Sequence, residues 1–250
     1  MSTGAERLAG LITAGGPVVA LTGAGISVPS GIPDFRSPGS GLWEQQDPME
    51  VAHINVFRRD PQRFWRFYAQ RFHALEHKLP NPAHRALAEL ERRGLLRAVI
   101  TQNIDRLHER AGSRELVEVH GTISHSSCPR CGARHPLAEV RARLRADPAG
   151  VPRCDCGSPL KPDVVLFGEY LPAAALARAE ALASEAALLL CIGSSLEVYP
   201  VASLPGMTLA AGGRLAILSK GPTPYDSRAE VRLWGDVVEE LEALLAALAC

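Results

Sequence analysis

The sequence predicts an α/β fold in which a parallel sheet, covered by helices on both faces, is interrupted by two insertions. Three observations predict it. Apolar runs such as Val18-Val19-Ala20-Leu21 and Leu188-Leu189-Leu190-Cys191-Ile192 have the length of buried strands and alternate with segments of helical periodicity. The first run opens directly into Gly23-Ala24-Gly25-Ile26-Ser27, a junction of the kind that brings backbone N–H groups to a phosphate. Residues 41–80 and 122–160 break the alternation, one rich in aromatics, Arg and His, the other carrying two cysteine pairs.

Residues 6–14 read as a short helix leading to a strand over 17–21. Asp60-Pro61 marks the start of a helix along which Phe64, Trp65, Phe67, Tyr68 and Phe72 recur at helical spacing. Residues 82–93 form a helix with apolar Ala86, Leu87 and Leu90, Gly94 ends it, and a strand follows over 96–101. A short strand is expected over 115–120, and the cysteine-bearing stretch encloses a polar helix over 137–146. Residues 161–169 return to the main core. A helix over 172–183, strands over 187–192 and 214–218, and an amphipathic helix over 237–248 complete the pattern. The large unit is therefore assigned residues 1–40, 81–121 and 161–250, with 41–80 and 122–160 together forming a smaller one.

With 250 residues, 46% of them apolar, the chain can bury the core of a large domain. Lys plus Arg, at 27, equals Asp plus Glu, at 27, which disfavours a nucleic-acid partner held by a broad basic surface. Residues 1–10 lack the basic flank and apolar core of a signal peptide, and no stretch has the apolar length of a membrane span. A cytoplasmic monomer with no membrane partner is expected. In a reducing compartment the paired cysteines favour a metal over disulfides, while Cys191 fills a strand and Cys250 is incidental.

The turn after the first strand departs from G-x-G-x-x-G, since Val28 stands where the third glycine belongs, which argues against an ordinary hydride-transfer dehydrogenase. Thr101-Gln102-Asn103-Ile104-Asp105 ends a strand, the usual place of ligand contacts in an open α/β sheet. Asp105 also suits the N-cap of a helix over 106–111. His120-Gly121 closes a short strand, where a neutral imidazole suits proton removal near pH 7. Cys128-Pro129-Arg130-Cys131 is a C-x-x-C knuckle, and Cys154-Asp155-Cys156 a tighter C-x-C pair. Four thiolates satisfy tetrahedral Zn²⁺ without an open position, with His125 and His135 as substitute ligands and free thiols as the alternative.

Taken in order, these motifs resemble the sirtuin family of NAD-consuming protein deacylases over nearly the whole chain. Gly31-Ile32-Pro33-Asp34-Phe35-Arg36, Pro162-Asp163-Val164-Val165-Leu166-Phe167-Gly168-Glu169 and Gly193-Ser194-Ser195-Leu196-Glu197-Val198 extend the likeness. The resemblance implies a Rossmann-like NAD-binding unit, a small zinc-bearing unit, and deacylation of protein lysine that yields nicotinamide and O-acyl-ADP-ribose. It implies that Gly23, Ala24, Gly25 and Ser27 line the NAD phosphates and ribose, and that Asp34, Phe35 and Arg36 form a cofactor loop. Phe35 there shields the reacting ribose carbon from water. Gln102 and Asn103 meet the nicotinamide-side ribose, Ile104 and Asp105 the carboxamide, and Gly193, Ser194 and Ser195 the cofactor. Ser219, where an Asn is usual, and Val237 belong to the adenosine half. His120 becomes the general base, with Asn103 beside it as a catalytic residue. Val165, Phe167, Gly168 and Glu169 from one strip, with Leu196 and Val198 from another, bind an extended acyl-lysine peptide as an added strand. One structural zinc rests on Cys128, Cys131, Cys154 and Cys156.

Tyr68 and Arg71 share one helix face and resemble the pair by which some sirtuins accept succinyl- or malonyl-lysine. A guanidinium grips a terminal carboxylate through two hydrogen bonds, and a phenol adds a third. Two other readings stand beside deacylation: mono-ADP-ribosyl transfer to protein on the same scaffold, and a non-catalytic NAD-sensing zinc protein.

Overall fold

A computed structural model of the chain describes residues 3–34 and 47–249. Helix α1 (Gly4–Thr13) begins at a capping box, in which the Glu6 N–H donates to the Thr3 hydroxyl and the Thr3 N–H to the Glu6 carboxylate. Strand β1 (Val18–Thr22) is buried throughout and runs into a 3₁₀ turn, Ala24–Ser30. Two short helices, α2 (Pro48–Val51) and α3 (Ile54–Arg59), precede the long α4 (Pro61–Glu76), which the Asp60 carboxylate caps. Asn81 caps α5 (Pro82–Arg92), and β2 (Ala98–Thr101), α6 (Leu107–Ala111) and β3 (Leu116–Glu118) follow. Next come β4 (Gly121–Ser127), β5 (Arg134–Pro136), α7 (Leu137–Ala146) and β6 (Lys161–Val164). The chain closes with α8 (Ala173–Glu185), β7 (Leu188–Ile192), α9 (Leu204–Ala210), β8 (Arg214–Leu218), β9 (Val231–Leu233) and α10 (Val237–Ala247).

The main sheet has the strand order β3-β2-β1-β7-β8-β9, and every neighbouring pair is parallel. Each face of β1 feeds its own core, as strand alternation requires. Val18 and Ala20 pack with apolar residues of α1, α5 and α10, whereas Val19 and Leu21 pack with α8 and the start of α9. Chain order reverses between β1 and β7, so the crevice at their carboxyl ends is where such sheets bind ligands. No helix among the described residues is long and apolar enough to cross a membrane.

The two insertions share one core. Ala52, Ile54, Phe57, Phe64, Trp65, Tyr68 and Phe72 pack with Ile123, Leu137, Val140, Val151 and Leu160. Lys161–Val164, expected to return to the main core, instead pairs antiparallel with β4 in a three-stranded sheet of order β5-β4-β6. The reason is where its apolar side chains go: Val164 and Leu166 are buried against the aromatic helix. Strands β4, β5 and β9 and helix α9 were not anticipated from sequence.

Trp65 ties the insertions together, being fully buried with its indole N–H donating to the Leu160 carbonyl at 2.9 Å. Trp65→Phe keeps most of the apolar volume but strands that carbonyl, so we expect a loss of about 1–3 kcal/mol. Urea denaturation measures it; an unchanged midpoint would show that this bond does not hold the insertions together.

Candidate functional site

Three strand ends converge at the crevice. The Gly23 N–H donates to the Ile192 carbonyl at 3.0 Å and the Gly25 N–H to the Gly193 carbonyl at 2.8 Å, locking the turns after β1 and β7 together. Neither turn has room for a side chain: a Cβ on Gly25 would lie 2.7 Å from the Gly193 Cα, and one on Gly193, at φ 60°, 2.4 Å from the Ile26 nitrogen. A bare backbone is thus held at the crevice, a cradle suited to a dinucleotide diphosphate.

Asn103, after β2, donates both amide hydrogens, to the Gly23 carbonyl and the Ser27 hydroxyl, each at 3.1 Å. Its amide oxygen is what it can offer a ligand. Ser27 donates to Asp105 at 2.7 Å, and Asp105 also accepts the Leu107 N–H at 2.9 Å. The N-cap of the following helix is Arg106, at φ 65°, and not Asp105 as expected; Asp105 stands one residue earlier and reaches the helix through the Leu107 N–H. Burial raises the Asp105 carboxyl above the usual range, opposed by these hydrogen bonds and by Arg71. Gln102 donates to the Ser194 hydroxyl at 2.9 Å, joining the ends of β2 and β7.

Sequence reasoning missed the layer beneath. His84 Nε2 lies 3.4 Å from the Ser27 hydroxyl, and His108 Nε2 lies 2.9 Å from the Thr22 hydroxyl, which donates to Thr101 at 2.8 Å. The two imidazoles meet edge to face at 4.8 Å, and each leaves a buried Nδ1 without a partner. The available signal was a histidine on the apolar face of α5, beside Ala83 and Leu87. Burial holds His84 down at about 4 and His108 at about 3.

His120 stands between β3 and β4, its Nδ1 at 2.9 Å from the Gln102 carbonyl. A carbonyl can only accept, so Nδ1 carries the hydrogen and Nε2 is the basic nitrogen. Burial lowers the pKa of His120, so the imidazole is neutral near pH 7. Two residues earlier, burial lifts Glu118 to about 7 against a hydrogen bond from Thr122. Gly121 follows at φ 76°, where a Cβ would sit 2.1 Å from the Asp163 carbonyl.

Beside His120 runs the first predicted peptide strip. The Val165 N–H donates to the His120 carbonyl at 2.8 Å. Phe167, 43% exposed, exchanges backbone bonds with Ala52 and Ile54. Glu169 pairs with Lys161 at 2.9 Å and accepts the Leu166 N–H, curling the strip around Gly168. On the other strip Ser195 and Val198 are half-buried, but Leu196 points into the main core, so only its backbone is left for a peptide. Val237 likewise packs in the main core at the start of α10, leaving its backbone for the cofactor. Ser219 is buried at the end of β8, its N–H on the Leu233 carbonyl at 3.1 Å. Ala24 and Asp34 are half-buried and Ile104 packs against the small core, whereas Phe35 and Arg36 lie outside the described residues.

Tyr68 is buried, stacked on Phe64 at 4.4 Å. Burial raises its phenol and lowers the Arg71 guanidinium, and the two interact, with Asp105 as a further neighbour of Arg71. A half-buried cation thus stands within electrostatic reach of Asp105 at the crevice.

In the small sheet, Cys128, Cys131, Cys154 and Cys156 bring all four sulfurs within 4.8 Å of one another. Cys128–Cys156 and Cys131–Cys154 sulfurs are 3.4 and 3.5 Å apart. Zn–S bonds of about 2.3 Å in a tetrahedron place sulfurs about 3.8 Å apart, so the quartet fits a structural zinc. The substitute ligands are not needed: His135 Nδ1 pairs with Glu139 at 2.9 Å and His125 Nδ1 with Ser124 at 2.9 Å.

Residues 23–200 match the Sir2 family. The chain is 47% identical over 227 residues to an NAD-dependent protein deacetylase of Sulfolobus acidocaldarius, covering 91% of this chain and 88% of that one. It superposes on a solved Sir2 with deacetylated p53 peptide and 3'-O-acetyl ADP ribose at a TM-score of 0.92 and 42% identity, covering 96% and 97% of the two chains. Against a Sir2 with p53 peptide and NAD⁺ the TM-score is 0.89 at 42% identity, covering 96% of each.

The buried histidine pair generates a pH dependence of stability. Unfolded, both residues titrate near 6.5; folded, they do so at about 4 and about 3, so acid protonates the unfolded chain first. Their contribution is complete above pH 6.5 or so and drains away as pH falls toward 3, each unit of pKa difference being worth about 1.4 kcal/mol. Denaturant midpoints across that window should drop with acid, and His84→Gln should flatten the slope. A slope unaltered in the variant would contradict the assignment.

Proposed function

The chain belongs to the Sir2 family, and on that premise we propose that it removes acyl groups from lysine side chains of proteins at the expense of NAD. The products are free lysine, nicotinamide and O-acyl-ADP-ribose. The observation that carries this reading is the hydrogen-bonded unit of Gly23, Ser27, Asn103 and Asp105, with His120 tied to the adjacent Gln102 carbonyl.

NAD supplies the electrophilic ribose carbon that takes the acyl oxygen as nicotinamide leaves. The protein's residues bind, orient and move protons around it. Backbone at Gly23, Ala24 and Gly25 meets the diphosphate, with Gly193, Ser194 and Ser195 as the facing wall. Gln102 and the Asn103 amide oxygen take the nicotinamide-side ribose, and Ile104 and Asp105 the carboxamide. His120 Nε2, neutral and available, takes the proton of a ribose hydroxyl. The Ser219 hydroxyl serves the adenosine-side ribose. An acyl-lysine peptide lies as an added strand between residues 165–169 and 195–198, its side chain passing Val165 and Phe167 toward His120. The four cysteines hold a zinc that maintains the small sheet and takes no part in the reaction. Reduced cysteines kept for a metal also fit a cytoplasmic location, and we read the active form as a monomer.

Tyr68 and Arg71 extend the substrate range to acidic acyl groups such as succinyl-lysine. A guanidinium whose charge burial has made costly gains most from a carboxylate placed beside it.

Nicotinamide release from NAD with matched acetyl- and succinyl-lysine peptides tests both levels. Release should require peptide and fall about 10²–10⁴-fold in His120→Ala, the range of a lost general base. Arg71→Met should lower succinyl turnover about 10–100-fold, the worth of one or two charge-assisted hydrogen bonds, while sparing acetyl turnover. Transfer of ADP-ribose to protein, or cofactor binding without release, would replace deacylation with one of its rivals. Burial lifts Glu118 to about 7, so the pH profile of release should be recorded for Glu118→Gln beside the wild type.

A further inference from the structure

Helix α4 carries a second group of metal-ligating side chains, one turn beyond Tyr68 and Arg71, that the deacylation reading does not use. His73 and His77 stand four residues apart, so their imidazoles share a helix face. The ring centroids are 4.9 Å apart, and ligand atoms of His73, Glu76 and His77 all lie within 4.8 Å of one another. A metal about 2.1 Å from two nitrogens holds them no more than about 4.2 Å apart, a gap that side-chain rotation closes without backbone movement.

The trio occupies the last turn of α4, the negative end of the helix dipole, with His77 as its C-cap and with Arg110 donating to the Glu76 carbonyl. Arg141 pairs with one oxygen of Glu76 and anchors the carboxylate, leaving the second oxygen for a ligand. Both histidines are exposed, so the site opens to water and can exchange its ion, unlike the thiolate cluster.

We propose that His73, Glu76 and His77 form a second metal site, for an exchangeable borderline divalent cation such as Zn²⁺, Ni²⁺ or Cu²⁺, which clamps the end of the helix bearing Tyr68 and Arg71. Two imidazole nitrogens and one carboxylate oxygen select that class over hard ions such as Mg²⁺ or Ca²⁺. The site stands independently of the deacylase assignment, because His73, Glu76 and His77 are none of the residues given to NAD or peptide.

Ni²⁺ titration of untagged, as-purified protein by calorimetry tests it. Wild type should take up one equivalent, lost in His73→Ala and in His77→Ala and about tenfold weaker in Glu76→Gln. His125→Ala, which removes a histidine elsewhere, should leave uptake intact. Ni²⁺ should also raise the melting temperature of wild type but not of His77→Ala. Absence of uptake by wild type, or the same uptake in His77→Ala, overturns the proposal.

Discussion

The close approach of two strand-ending turns is the constraint on which the site rests. The Gly25 N–H sits on the Gly193 carbonyl at 2.8 Å, with no space for a Cβ from either side. The approach follows from sheet topology, because β1 and β7 are the parallel neighbours between which chain order reverses. Their carboxyl ends splay their connections in opposite directions and leave a crevice. β2 adds Gln102 and Asn103 to the same rim, and both side chains spend hydrogen bonds on the turns rather than on solvent. The cradle is therefore preorganised by backbone contacts, with Asn103 and Ser27 as its internal struts.

Tyr68 and Arg71, proposed to select the acyl group, depend on a different core. Tyr68 belongs to an aromatic cluster with Phe64 and Phe72, and that cluster is continuous with the residues surrounding the cysteines. Cys128 and Cys154 are themselves buried in it. The cysteine quartet and Tyr68 thus belong to one packed unit, and the geometry of one bears on the other through close-packed side chains.

Much of this was legible in the sequence because strand ends at the crevice must be both apolar and small. Val18 to Leu21 followed by glycines, and Leu188 to Ile192 followed by Gly193, announce strand and turn together. The aromatic helix was legible too, since Phe64, Trp65, Tyr68 and Phe72 repeat at helical spacing and are all buried. Strand β4 was not: Gly121–Ser127 is mostly polar and only Ile123 and Ser126 in it are buried, so no apolar alternation marks it as a strand. Leu196 keeps only its backbone for a peptide, and nothing in its residue type shows that its φ of 56° accompanies a side chain buried in the core. For the buried pair of His84 and His108, the placement of His84 on an apolar helix face was the one signal, and it does not name a partner. A histidine reveals its role only through neighbours that tertiary structure brings from Thr22 and Ser27.

The position of β1 in the sheet also has a meaning in time. One neighbour, β2, is complete by Thr101, but the other, β7, ends only at Ile192. A ribosome must release the chain through β7 before the first glycine turn meets its facing wall. Until then the early half exposes one edge of a strand that the finished fold buries throughout, the kind of surface that chaperones shield and that seeds aggregation. NAD can give no help at that stage, because the cradle it would stabilise does not yet exist. Biogenesis of the enzyme therefore hangs on the late half of the chain arriving before that edge finds another partner.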